Sequence, residues 1–287
     1  MSADASWRFD AIGTAWTIRT ERDLPEPLRA DVLSLIDAFD REWSRFRSDS
    51  LVTALAGGGR AAAPVDAAPM FEVYRELAEA TDDAVNPLIG GSLEALGYGV
   101  RPGTPGRAMP APSWRDALHW DGGALVLSAP AVIDVGALGK GRLADRVFAL
   151  IRSRTPGTVI VDASGDIRLD AAEETVRIAL EHPYDPTRAI GVATLSSGAV
   201  CASATNRRVW GDGLHHVLDG RTGLPVDVVV ATWAFLPDAM HADALATALF
   251  FDGGLELAHA WGAQWIRVLS DGRAEYQLTD ANIELFR

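Results

Sequence analysis

The sequence predicts an α+β fold: a single large domain of mixed or antiparallel sheets with packed helices, with room for two subdomains. Three observations carry this. Residues 166–169 and 175–180 alternate apolar and polar side chains at period two, as strands do, and 265–278 reads as a hairpin. Residues 28–46 space their apolar side chains as a helix does, and the Ala-rich run 242–251 also reads as a helix. Strands and helices then follow one another without the steady βαβ alternation of a doubly wound sheet, and no internal repeat is present.

Taken in order, residues 15–20 alternate after Gly13-Thr14 and predict an early strand. Residues 28–46 place Leu28, Val32, Leu35, Ile36, Phe39 and Trp43 on one helical face. A Gly/Ala/Pro-rich loop is expected over 56–69, then a helix over 70–81. Residues 88–99 predict a loop or short helix, and the Pro/Gly-rich run 101–112 an exposed connection. Strands are expected at 124–127 and 131–135, then a helix spaced by Leu143, Val147, Leu150 and Ile151, then a strand at 158–161. Residues 166–169 and 175–180 are expected to pair as a hairpin. Further strands are expected at 191–195, 199–203 and 228–233. Helices follow at 242–251 and 255–261, and a last hairpin turns at Asp271-Gly272.

Composition excludes several classes. A chain of 287 residues with 48% hydrophobic content can bury a large core. The formal net charge of -13 repels phosphate backbones and argues against nucleic acid as partner. A single cysteine, Cys201, excludes an internal disulfide and a multi-cysteine zinc site. No run reaches the roughly 18 apolar residues of a membrane span. The first ten residues lack the basic and apolar regions of an export signal, so a cytoplasmic protein is expected.

Of the 26 basic residues, Lys140 is the only lysine. It lies in Asp134-Val-Gly-Ala-Leu-Gly-Lys-Gly141, a Gly-rich turn that opens a helix, where free N–H groups and a partial positive charge suit an anion. The P-loop spacing fails, because only Ala137-Leu138 separate Gly136 from Gly139 and no Ser or Thr follows the lysine. A dinucleotide fingerprint, Gly139-x-Gly141-x-x-Ala144 with Asp162 at the end of the next strand, stays open and would make an NAD-dependent oxidoreductase. Farther on, Asp243 and Thr247 share one helical face and offer hard oxygens suited to Mg2+, or else simply cap and pack. The pair His215-His216 with Asp219 offers a metal ligand or a general base, or a structural turn. Arg207 and Arg208 suit a phosphate, or solvent.

Together these segments resemble the ApbE-type flavin transferases (FAD:protein FMN transferases). Asp134 to Gly141 is similar to that family's D-x-G-x-x-x-K-G segment, His216-Val-Leu-Asp219-Gly-Arg-Thr-Gly-Leu-Pro225 to its H-x-x-D-P-x-T-G-x-P loop, and Ala242-Asp-Ala-Leu-Ala-Thr-Ala-Leu249 to its metal helix. Weaker similarities are Ser44-Arg-Phe-Arg-Ser-Asp-Ser50, Asn86-Pro-Leu-Ile-Gly90 and Ser164-Gly-Asp-Ile-Arg168. The resemblance implies one ApbE-like domain over 1–287 that binds FAD and, with Mg2+, passes FMN to a Ser or Thr hydroxyl of an acceptor flavoprotein, releasing AMP. It further implies that Asp243, Thr247 and the Ala137 carbonyl hold Mg2+. Asp134, Lys140, Phe46, Glu94, Ala95, Leu96 and Val217 would contact FAD, and His216 with Asp219 would be catalytic. Gly220 stands where the family has Pro, residues 201–206 where it has A-T-S-G-D-Y, and Ala246 where some members are acidic. A flavin-binding carrier, sensor or FAD hydrolase is the alternative.

Overall fold

Eight strands, taken in chain order, build one sheet in the computed structural model, which describes residues 5–99, 103–207, 209–210, 213–279 and 282–286. Residues 1–4, Arg101, Pro102, Arg208 and the side chain of Arg207 lie outside that description. The strands are β1 (Ala5–Ala11), β2 (Thr14–Thr20), β3 (Val159–Asp162), β4 (Asp166–Asp170), β5 (Ser197–Ala204), β6 (Val229–Leu236), β7 (Gln264–Leu269) and β8 (Ala274–Gln277). Every neighbouring pair is antiparallel. Each insertion between consecutive strands therefore returns the chain to the adjacent position, and the insertions carry the helices and the candidate site.

Side chains on a strand point alternately to its two faces, and the central strands are apolar on both. On β6, Ala234 and Leu236 enter one core, while Ala231, Trp233 and Phe235 enter the other. The first core is closed by helices α1 (Glu26–Trp43), α2 (Ala67–Ala80), α3 (Gly139–Arg152) and α4 (Ala239–Ala248). Of these, α3 and α4 touch the sheet and each other, α1 packs on α3, and α2 on α4. The second core is closed by a three-stranded sheet of Val176–His182, Asp185–Leu195 and Ile283–Leu285, which contributes Leu180, Ala193 and Ile283. Helices, sheet and small sheet thus form three layers of an α+β fold. Among the described residues, no helix is long and apolar enough to cross a membrane.

Several expectations are corrected. Residues 166–169 do not pair with 175–180: β4 lies between β3 and β5, while Val176–His182 pairs with Asp185–Leu195. Alternation marks a strand but does not name its partner. Residues 131–135 form no strand, because their amides go to loop carbonyls, Ala131 to Ala56 at 3.1 Å and Asp134 to Pro87 at 2.8 Å. The expected loop 56–69 contains a strand, Gly59–Ala62, paired to Ala124–Leu127, and the start of α2. Strand β1 went unpredicted. It joins β2 through a tight turn at Ile12 and Gly13, both at positive φ (46° and 73°), a geometry that favours a hairpin despite the isoleucine.

The crossing of α3 and α4 sets the site, and Gly141 permits it. A Cβ there would lie 2.1 Å from the Ala239 carbonyl oxygen and 2.7 Å from the Asp243 Cβ. Gly141→Ala should therefore destabilise the protein by about 2–3 kcal/mol through overpacking, outweighing the roughly 1 kcal/mol by which Ala is the better helix former. Urea unfolding measures this; an unchanged midpoint would mean that the two helices part freely.

Candidate active site

Helix α4 presents Asp243 and Thr247 one turn apart to a cavity of about 990 Å³. Two caps fix the helix start. Asp238 accepts from the His241 amide at 3.0 Å, and Asp145, reaching over from α3, accepts from the Ala239 and Met240 amides at 2.9 Å each. Burial pushes the Asp145 carboxyl above the usual carboxylate range, although those amides pull it back. The Asp243 carboxylate accepts from the Gly141 amide at 2.9 Å, and the Thr247 hydroxyl lies 3.3 Å from the Ala137 carbonyl. Carboxylate, hydroxyl and carbonyl oxygens thus meet where α4 faces the turn that opens α3. Among the described residues no three His, Cys, Asp or Glu side chains gather as a metal cluster. This oxygen set contains only one residue of those types.

Lys140 stands in the first turn of α3, with its ammonium in an ion pair with the fully buried Asp166 at the start of β4. Burial alone would pull the ammonium toward neutrality. The Asp166 and Asp243 carboxylates outweigh it and hold the Lys140 pKa above the usual lysine value. The anchor of the lysine is therefore a carboxylate thrown up by the sheet, a partner that the local sequence pattern did not reveal.

The Asp134 carboxylate is held by the Arg45 guanidinium at 2.6 Å and the Gly136 amide at 2.7 Å, and its carbonyl takes the Tyr74 hydroxyl at 3.1 Å. Asp134, Lys140, Ala137, Phe46, Val217, His216, Asp243 and Thr247 all line the cavity. Glu94, Ala95, Leu96 and Asp219 are not among its lining residues. Glu94 instead reaches Arg45 at 3.6 Å, the Ala95 carbonyl takes the Gly106 amide at 2.8 Å, and the Leu96 carbonyl takes the Trp210 indole at 2.7 Å. Sequence reasoning gave Arg45, Tyr98, Ser164, Gly165 and Asp166 no role: they entered only inside weakly similar segments. An arginine among many carries no local signal, and Asp166 also read as the first residue of an alternating run.

The two histidines divide their roles. His215 is buried, with Nε2 2.8 Å from the Val226 carbonyl, and burial lowers its pKa; His216 faces the cavity. Asp219 shapes the following turn, accepting from the Arg221 amide at 2.8 Å and pairing with its guanidinium at 2.6 Å. Burial would raise the Asp219 carboxyl, but Arg221 outweighs it and holds it low. The departure at Gly220 has a reason: its amide donates to the Ala84 carbonyl at 2.8 Å, a bond a proline could not make. Ala246, the other departure in α4, is fully buried and lends its carbonyl to the Thr232 hydroxyl at 2.6 Å.

The dinucleotide fingerprint does not survive. It needs a strand before Gly139 in a parallel sheet, and this sheet is antiparallel with no strand at 131–135. Gly139 and Gly141 serve close packing instead, against the Val135 side chain and α4.

Fold and site together define an α+β protein with a cavity at the upper end of the range for small-molecule sites. The chain belongs to the ApbE family, whose pattern matches residues 12–266. It is 26% identical over 275 residues to a FAD:protein FMN transferase of Rhodobacter capsulatus, a match covering 87% of this chain and 52% of that protein. It therefore spans about half the length of that relative. A FAD:protein FMN transferase of Treponema pallidum (strain Nichols) is 29% identical over 259 residues, covering 78% of this chain and 70% of its own. The crystal structure of the ApbE protein from Thermotoga maritima superposes with a TM-score of 0.78 at 25% identity, over 96% of this chain and 97% of that one. The flavin transferase ApbE from Vibrio cholerae, 19% identical, shares the fold with a TM-score of 0.76 over 95% and 96% of the two chains.

Proposed function

We propose that this chain, as one domain over residues 1–287, transfers FMN from FAD to a Ser or Thr hydroxyl of an acceptor flavoprotein, with Mg2+ as cofactor and AMP as the other product. One observation carries this reading: segments at 134–140, 216–217 and 243–247, far apart in sequence, line a single cavity. Family membership and the names of the two relatives support it.

The donors suit Mg2+, being hard oxygens with one negative charge among them. Asp243, Thr247 and the Ala137 carbonyl would hold it, leaving the rest of its shell to water and substrate phosphates. When bound, the ion supplies positive charge against the pyrophosphate. Asp134, Lys140, Phe46, Glu94, Ala95, Leu96 and Val217 form the FAD side of the site, some by contact and some, such as Glu94, through Arg45. The acceptor hydroxyl oxygen attacks the FMN phosphorus, the P–O bond to AMP breaks, and His216 takes the hydroxyl proton. Asp219 braces the turn after Val217 and so the loop that carries His216.

The test is incubation with FAD and Mg2+, with and without an acceptor. AMP release with covalent FMN on the acceptor is expected. Free FMN and AMP alone would make the protein a hydrolase, and binding without turnover would make it a carrier or sensor. His216→Asn should slow labelling of the acceptor by about 10²–10³-fold, in line with loss of a general base, with FAD affinity nearly unchanged. Wild-type labelling rates in that variant would assign the proton to another group.

A further inference from the structure

Past the end of α1, Ser44 is extended (φ -82°, ψ 113°), and the two arginines that follow part company. Arg47 pairs with Asp40 and Asp49 at 3.1 and 2.8 Å, whereas the Arg45 side chain is only 3% exposed. Its Nε donates to Asp134 at 2.6 Å and its Nη1 to the Tyr98 carbonyl at 3.0 Å, with Glu94 at 3.6 Å. The guanidinium also lies 4.2 Å from the centre of the Phe46 ring and 5.2 Å from that of Tyr98. Tyr98 in turn stacks on Trp210 at 4.7 Å. One buried group thus touches an acid, two rings and a second acid from three stretches of chain, at 46, 94–98 and 134.

Its third nitrogen, Nη2, is buried and has no hydrogen-bond partner among the described residues. Buried polar groups are nearly always paired, so an idle N–H on a residue that lines the cavity points to a ligand. The charge balance narrows the ligand. Asp134 and Glu94 already outnumber the one positive charge of Arg45, which disfavours a phosphate here and favours a neutral acceptor atom. The flanking rings favour a planar partner.

We propose that Arg45 is a positioning residue of the FAD site: it fixes the Asp134 carboxylate and carries the Phe46 and Tyr98 rings, and its Nη2 donates to a neutral acceptor atom of a heteroaromatic ring of the dinucleotide. This rests on the reading of the cavity as a FAD site. Isoalloxazine carbonyls and adenine ring nitrogens share that chemistry, and separate titrations with FMN and ADP tell them apart.

The experiment uses the full chain, with FAD, FMN and ADP titrated calorimetrically into wild type, Arg45→Lys and Phe46→Ala, alongside steady-state kinetics. A lysine restores the charge opposite Asp134 but not the planar fork. Arg45→Lys should therefore unfold near the wild-type temperature, yet bind FAD about tenfold more weakly. KM should rise by a similar factor, with kcat little changed. Either FMN or ADP, whichever carries the ring in contact, should lose affinity in parallel. Phe46→Ala, which removes a half-exposed ring, should weaken the same ligand even if Arg45→Lys fails to fold. Wild-type affinity for all three ligands in the folded Arg45→Lys variant, or in Phe46→Ala, overturns the proposal. A wild-type protein that binds FAD without releasing AMP would overturn the transferase reading alone. A wild-type protein that binds none of the three overturns both.

Discussion

Asp243→Asn is expected to lower Mg2+-dependent release of AMP from FAD by about 10³-fold while leaving the protein folded. The size follows from the role: losing the one carboxylate of the oxygen set removes about 4 kcal/mol of charge stabilisation, and each ~1.4 kcal/mol is a tenfold change in rate. The choice of asparagine matters. In the native protein this carboxylate also accepts from the Gly141 amide at 2.9 Å, so it joins α3 to α4 as well as facing the cavity. An asparagine oxygen can still take that N–H. An alanine cannot, and Asp243→Ala should lose a further ~1–3 kcal/mol of stability for the orphaned amide. The pair of variants separates chemistry from packing: turnover falls in both, stability chiefly in the second. Turnover against Mg2+ concentration, with urea unfolding on the same samples, is the measurement. If Asp243→Asn keeps both its rate and its Mg2+ dependence, Asp243 is not a metal ligand.

What the sequence made legible was whatever depends on near neighbours. Asp243 and Thr247 fall on one face because a helix turns every four residues or so, and that geometry needs no knowledge of the rest of the fold. The start of α3 was legible for the same reason, although the helix begins at Gly139 and takes Lys140 into its first turn. Partners across the chain were not legible. Asp166 lies 26 residues from Lys140 and Arg45 lies 89 from Asp134, and nothing in either local pattern marks the pairing. The hairpin assigned to 166–180 failed likewise: β4 has the alternation of any half-buried strand, and only its place between β3 and β5 decides its neighbours. Residues 131–135 misled because burial alone, with Ile133 fully enclosed, produces the apolar run that a strand also has.

Lys140→Met should rank among the most destabilising single changes in the chain, at about 3–5 kcal/mol, the usual cost of removing one partner of a buried ion pair. Asp166 is fully buried, and its Oδ1 lacks a partner among the described residues even in the native protein. Without the ammonium that carboxylate would be left among Asp162, already pushed above the usual range by burial and by Asp166, and Asp243. The cure is to remove the second charge as well. Lys140→Met with Asp166→Leu replaces the pair by apolar side chains of similar bulk, and should recover most of the lost stability. A double variant no more stable than the single would show that the loss does not come from the orphaned carboxylate. The double variant also isolates what the lysine does for FAD. Removing one positive and one negative charge leaves the net charge of the floor unchanged, so the long-range attraction for a pyrophosphate is nearly preserved. FAD affinity in the double variant should then fall by less than about tenfold. A larger loss, measured by titration at matched Mg2+, would mean that the ammonium leaves Asp166 to meet a phosphate directly when FAD binds.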